Sequence, residues 1–510
     1  MARATLSIAV ITGVALGVAG CEAILGTGSL GDRASGSEDG SGADSLPADG
    51  GADAPIDHTV PFDASDAQGR DASPGDASDA QAGDASPSDA SHASMKDAPN
   101  DGQNDAPNDA QNEAGGSDAA VTGVDAGLLY NDMTNPAFWS TFDTSTKDSK
   151  AKAFSGAAFD GQYVYFVPNG GGFGSTVTRY DTHLPFGSGA SWSTFDTLGL
   201  NPPAAGFVGA AFDGRYVYLV PNHKTGSGLV VRYDTQAAFQ QANSWSTFDM
   251  TTVYGGLSGY CGAVYDGHHV YFVPPPFLNG RLVARYDAEG DAGFNSTSSW
   301  DFVDVSAFGD GDMCGAVFDG RFVYLAPTFQ GTWDGIVPRY DTTGQYGSSS
   351  SWLHFDTTSV NAGPAVFFGG AFDGRFVYLA RYTAGSVTRY DTVADAGFTS
   401  TTSWSVFDTS ALDGGTNAFQ GAAFDGRFVY FVPTNAVATR FDTQSTFTTS
   451  TSWSTFDMGG LDAGAGGFAG AAFDGRYLYF VPNTGGVVAR FEAKTLPSMP
   501  KLPAWNGSFF

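Results

Sequence analysis

The sequence predicts an all-β fold: a seven-bladed β-propeller of four-stranded antiparallel blades, its ring closed by an N-terminal strand. Three periodic signatures carry that expectation. Phe-Asp-Gly or Tyr-Asp-Gly recurs with its Asp at 160, 213, 266, 319, 373, 425 and 474, in steps of 53, 53, 53, 54, 52 and 49 residues. An Arg followed by an aromatic and an acid recurs at Arg179, Arg232, Arg285, Arg339, Arg389, Arg440 and Arg490. A Trp opening a short run recurs at Trp139, Trp192, Trp245, Trp300, Trp352, Trp404 and Trp453. A period near 50 built from strand-like units is the signature of a propeller.

One unit shows the four strands. Gly209-Ala210-Ala211-Phe212 is a short strand of small residues, as an innermost strand crowded at an axis requires. Asp213-Gly214 is a strong two-residue hairpin signal, because Gly accepts positive φ. Arg215 to Val220 is aromatic and β-branched, and Pro221 stops it. Leu229 to Asp234 is the third strand, and Ser244 to Asp249 the fourth. The first Trp run, Phe138 to Asp143, precedes the first Asp-Gly turn, while the last unit ends after a third strand near Glu492. Pairing the two completes seven blades and removes two exposed sheet edges.

The unit resembles the kelch repeat over 134 to 492. The matching features are an aromatic after the hairpin (Tyr165, Tyr218, Tyr271, Tyr324, Tyr378, Tyr430, Tyr479), a later Tyr-Asp, and the Trp strand. It departs where kelch repeats carry paired glycines: Val-Pro or Ala-Pro stands there, and Ala380-Arg381 in blade five. The resemblance implies the fold. It does not choose a function, because kelch-type propellers include protein binders and an oxidase.

Ahead of the repeats stand two other segments. Leu6 to Ala19 is apolar and uncharged, and Val18-Ala19-Gly20-Cys21 resembles the bacterial lipobox. The resemblance implies a signal peptide over 1–20, acylation of Cys21, and a lipid-anchored protein of the bacterial cell envelope, at the outer membrane or cell surface. An ordinary signal peptide with a chance Cys is the alternative. Residues 32 to 125 hold 19 Asp and 2 Glu against Arg33, Arg70 and Lys96. The expectation for 21–128 is a disordered spacer rich in Asp, Ala, Gly and Ser, since nothing in it can bury a core. A loose calcium sink is the rival, although no fixed calcium-loop spacing occurs. The propeller is expected over 129–495, and a Pro-rich tail over 496–510.

Composition excludes some partners. Acids outnumber bases 54 to 24, for a net charge of −30 over 510 residues. Nucleic acid and anionic lipid both demand Lys and Arg, so the membrane is engaged only through the anchor.

Comparing the seven copies separates scaffold from site. The repeated Arg and hairpin Asp are expected to pair or cap turns. Symmetry breaks between the second and third strands, where 10 or 11 residues separate the stop position from the Arg in blades one to four, against 7, 6 and 7 in blades five to seven. The longer loops carry Phe329 and the candidate ligand-binding residues Phe173, His223, Lys224, Phe277, Asn279, Arg281, Trp333 and Asp334. Trp333 suits sugar stacking or a protein contact, or packs beneath its own loop. Cys261 and Cys314 share one slot, five residues before the hairpin Asp, where other blades have Ser155, Val208, Phe368, Gln420 and Ala469. They are a disulfide or two buried thiols.

No catalytic motif and no cofactor signature occurs, and no metal site is expected. His268-His269 is the one close His pair in the repeat region. As neighbours along a strand they would point to opposite faces. The functional expectation is a non-catalytic module binding an extracellular glycan or protein. The alternatives are an envelope enzyme using channel-lining Asp residues on polysaccharide, and a purely structural component.

Overall fold

The computed structural model describes residues 129–495 except 170–173, 223–226, 256, 258, 276–280, 309–311, 329–334, 364, 384 and 413–417. The lipobox with Cys21, the acidic segment and the C-terminal tail lie outside the described residues. Among those described are seven four-stranded antiparallel sheets and one two-stranded sheet. The first blade runs Phe154–Phe159, Tyr163–Pro168, Thr176–Asp181 and Trp192–Asp196, from axis to rim. Each later blade repeats this order.

The seventh blade draws its outer strand from the start of the propeller, as expected. Trp139–Asp143 pairs with Val487–Glu492, Trp139 opposite Phe491 and Asp143 opposite Val487. A second clasp had no sequence signal: Leu129–Tyr130 pairs with Lys494–Thr495. Between them the Asn131 amide N–H donates to Ala493 O (2.9 Å) and Nδ2 to Glu492 O (2.7 Å).

Each Asp-Gly hairpin is built by its carboxylate. Asp213 Oδ1 accepts the backbone N–H groups of Arg215 (2.8 Å) and Tyr216 (2.6 Å), and Oδ2 accepts the Tyr218 hydroxyl (2.6 Å). The Asp-to-phenol bond recurs in all seven blades. Burial first, and the Asp bond second, raise the Tyr218 pKa, so the phenol stays a donor.

The inner strands approach one another through glycine. A Cβ added to Gly156 would sit 2.7 Å from Gly209 Cα, and one on Gly262 would sit 2.9 Å from Gly315 Cα. Gly315 and Gly470 are crowded by neighbouring backbone in the same way, whereas Gly209, Gly369 and Gly421 have room for a Cβ and are held to glycine by positive φ.

Between blades the packing is aromatic. Trp192 lies on Phe142 with centroids 4.6 Å apart and planes 9° from parallel, and its Nε1–H donates to Phe186 O (3.0 Å). Trp245 on Phe195, Trp300 on Phe248, Trp404 on Phe355 and Trp453 on Phe407 repeat the stack. Such stacks contribute about 0.5–1.5 kcal/mol beyond burial.

The repeated third-strand Arg corrects the pairing expected for it. Arg232 does not meet the hairpin Asp213, whose oxygens already accept three donors. Its guanidinium lies between Tyr216 of its own blade (4.0 Å) and Phe294 of the next (4.2 Å). Nε donates to Ser246 Oγ (3.1 Å) and Nη1 to Tyr286 Oη (3.2 Å), across the blade boundary. The acid two residues on, Asp234, pairs with Arg215 just after the hairpin glycine (2.8 Å). Arg321–Asp341, Arg375–Asp391, Arg427–Asp442 and Arg476–Glu492 do likewise.

Candidate functional site

The seven inner strands enclose an axial cavity of about 220 Å³. A glycine layer lines it, one residue per blade: Gly156, Gly209, Gly262, Gly315, Gly369, Gly421 and Gly470, followed in each blade by Ala or, in blade five, Gly370. The residue before each glycine forms a collar, and here the blades differ: Ser155, Val208, Cys261, Cys314, Phe368, Gln420 and Ala469. Identical glycines beneath a nearly non-repeating collar mark the point where a symmetric scaffold becomes an asymmetric surface.

The collar belongs to the face that carries the second-to-third-strand loops. Asn169 and Asn222, which follow second strands, bond by their backbone N–H to Ala153 O (2.8 Å) and Gly206 O (3.0 Å) in the connections between blades. Their side chains line the cavity together with Asn483, and Asn169 Nδ2 donates to Asn483 Oδ1 (2.6 Å). The Ser155 hydroxyl donates to Phe207 O in the adjacent blade (2.9 Å). Cys261 and Cys314 are bonded to each other across two blades, with Cα atoms 4.8 Å apart. The lining is thus amide, hydroxyl, sulfur and hydrocarbon.

No carboxylate lines the cavity among the described residues. The hairpin Asp residues sit at the other end of the inner strands, tied to phenols and turn amides.

Of the loop residues singled out from sequence, Phe173, His223, Lys224, Phe277, Asn279, Phe329, Trp333 and Asp334 lie outside the described residues. Arg281 is described: it immediately precedes the third strand Leu282–Asp287, with φ of 61°. The seven collar positions align in the sequence, five residues before each hairpin Asp, where Cys261 and Cys314 are the one repeated residue type.

The histidine pair also departs from expectation. His268 belongs to the hairpin turn and the strand begins at His269, so alternation does not apply. The two rings come together, centroids 4.4 Å apart at 69°. Burial, then the Arg285 charge, pushes the His269 pKa down.

No protein-family model matches the chain, and no curated protein matches it. Solved structures similar to it include the RRP9 WD40 repeats, at 11% identity and TM-score 0.48, covering 72% of this chain and 99% of that one. YCF48 bound to a D1 peptide follows at 14% and 0.47, covering 73% and 99%. PorZ, an essential bacterial surface component of the type-IX secretion system of Porphyromonas gingivalis, stands at 11% and 0.42, covering 71% and 39%. The likeness stops at the fold.

Proposed function

We propose that this chain is a surface-anchored bacterial lipoprotein whose propeller binds an extracellular glycan or protein at the collared face, without catalysis. The observation that carries the binding reading is the collar: seven inner-strand positions, six different residue types, above seven identical glycines. Packing alone asks for the glycine layer and places no such demand on the layer above it.

The chemistry of the lining favours neutral ligands rich in hydroxyl or amide groups. Asn169, Asn222, Gln420 and Asn483 bring amides to the lining, Asn169 and Asn483 bonded to each other, and Phe368 and Val208 bring apolar surface. Sugars and extended peptides both suit a concave site of that kind. The anchoring part of the proposal rests on the lipobox residues ending at Cys21, and the kelch-like part on the repeated Tyr and Trp positions.

Thermal melting of the full chain against neutral oligosaccharides and peptides tests the binding reading. A ligand at 100 times its dissociation constant adds about 2.7 kcal/mol, which shifts the transition visibly. A shift with an oligosaccharide or a peptide is the expected result. Failure of every member at millimolar concentration would favour the structural alternative. Replacing Cys21 with Ala tests the anchor: the protein should leave the membrane fraction.

A further inference from the structure

Blade three breaks the repeat at a second place, on the face opposite the collar. Five hairpins place an Arg after the glycine, and that Arg holds the acid at the end of the third strand. Blade three has His268 there, so no guanidinium holds Asp287 in that manner. The next position, aromatic in the other blades, is His269. Two residues beyond Asp287 stands Glu289, one of only five Glu in the chain. Asp301 takes the position occupied by Ser246 in blade two and binds Arg285 (2.9 Å), offsetting the nearest positive charge.

These substitutions converge in space. One ligand atom each from His268, His269 and Asp287 lie within 4.8 Å of one another. His268 Nε2 stands 3.5 Å from Asp287 Oδ1. Two ligands about 2.1 Å from a tetrahedral ion stand about 3.4 Å apart, so this pair already has the spacing of a shared ion. Closing all three separations to that spacing requires a movement of about 1 Å within the set, whose members lie within 4.8 Å of one another. The other His268 nitrogen, Nδ1, lies 2.9 Å from Glu289 Oε2. A carboxylate on the distal nitrogen is the usual device for fixing the tautomer and orientation of a metal-binding imidazole.

We propose that the hairpin face of blade three binds one divalent transition-metal ion of the zinc class through His268, His269 and Asp287, with Glu289 orienting His268. Two imidazoles and one carboxylate suit Zn2+ and its neighbours rather than Ca2+ or Mg2+, which prefer oxygen. Three protein ligands leave a fourth position for water or for a group from a partner. The site stands apart from the collar, so it survives or fails independently of the ligand-binding proposal.

Titration calorimetry of the chelator-treated full chain with Zn2+ tests it, with Co2+ absorption as a second readout. The expected result is one tight equivalent and a tetrahedral Co2+ spectrum. Both should vanish in His268→Ala, whose side chain is half exposed and whose removal leaves the blade intact by circular dichroism. Asp287→Asn should lose the same equivalent. Glu289→Gln should weaken it by about 10- to 100-fold. An unchanged tight equivalent in His268→Ala would overturn the assignment. So would a wild type showing only the weak, multiple uptake that the acidic N-terminal carboxylates supply in every variant.

Discussion

Trp139 lies flat against Phe456, ring centroids 4.7 Å apart and planes 12° from parallel, joining the first Trp of the propeller to the outer strand of its sixth blade. Its Nε1–H donates to Met133 O (2.8 Å), and its backbone pairs with Phe491. This is the stack made at five of the other six blade boundaries, here made across the chain ends, and only the boundary between blades three and four, with Val303 in the Phe position, departs from it. Ring closure therefore depends on the same kind of aromatic pair that packs most blade boundaries.

Trp139→Ala should accordingly cost about 3–5 kcal/mol, as for a large buried aromatic. Denaturant unfolding of the full chain measures this. A change within about 0.5 kcal/mol would mean the closing strand carries no stability.

The guanidinium of Arg232 stacks between two rings while donating to Ser246 and Tyr286. Lys keeps the charge but loses the plane and the fork. Arg232→Lys should therefore destabilise by about 1–2 kcal/mol, whereas Arg232→Met should recover part of the loss through packing. Equal stability of Lys and Arg at this position would show that charge alone matters.

Acid sensitivity follows from the hairpin ion pairs. The hydrogen bond from Arg321 holds the Asp341 pKa at about 2, below its usual 3.8. Arg215 and Arg375 likewise lower Asp234 and Asp391. A depressed folded pKa gives stability that is present above about pH 4 and is lost as pH falls toward 2. The melting temperature should drop across that window. Arg321→Gln should flatten the drop, and an identical slope in the variant would show that this pair does not contribute.

The Cys261–Cys314 bond closes a 53-residue separation. Chain entropy sets the cost of its loss at up to about 4 kcal/mol. Cys314→Ser should lower stability by an amount of that order, and neither cysteine should alkylate without reductant. Labelling of both thiols in the unreduced protein would contradict the bond.

The fold was open to sequence reasoning because its determinants are local and repeated. Asp213-Gly214 fixes a hairpin within four residues, and seven copies fix the period. The closing strand was legible as an arithmetic remainder. The partner of each Arg was not. Arg232 and Asp234 sit two apart on one strand, yet one finds rings across a blade boundary and the other finds Arg215 across a hairpin. Only three-dimensional register decides that. The histidines were misjudged for a related reason, since a one-residue difference in where the strand begins abolishes the alternation argument. The collar was visible as aligned positions, but their meeting around one cavity is a property of the closed ring.

The most direct test of the account compares ligand-induced melting shifts in the wild type, Val208→Trp and Leu198→Ser. Val208 lines the collar, whereas Leu198 lies on the outside, 52% exposed. Filling the cavity mouth should abolish the shift produced by a neutral oligosaccharide or peptide, while the outer substitution leaves it intact. A full shift in Val208→Trp would place recognition elsewhere and contradict the collar as the binding site.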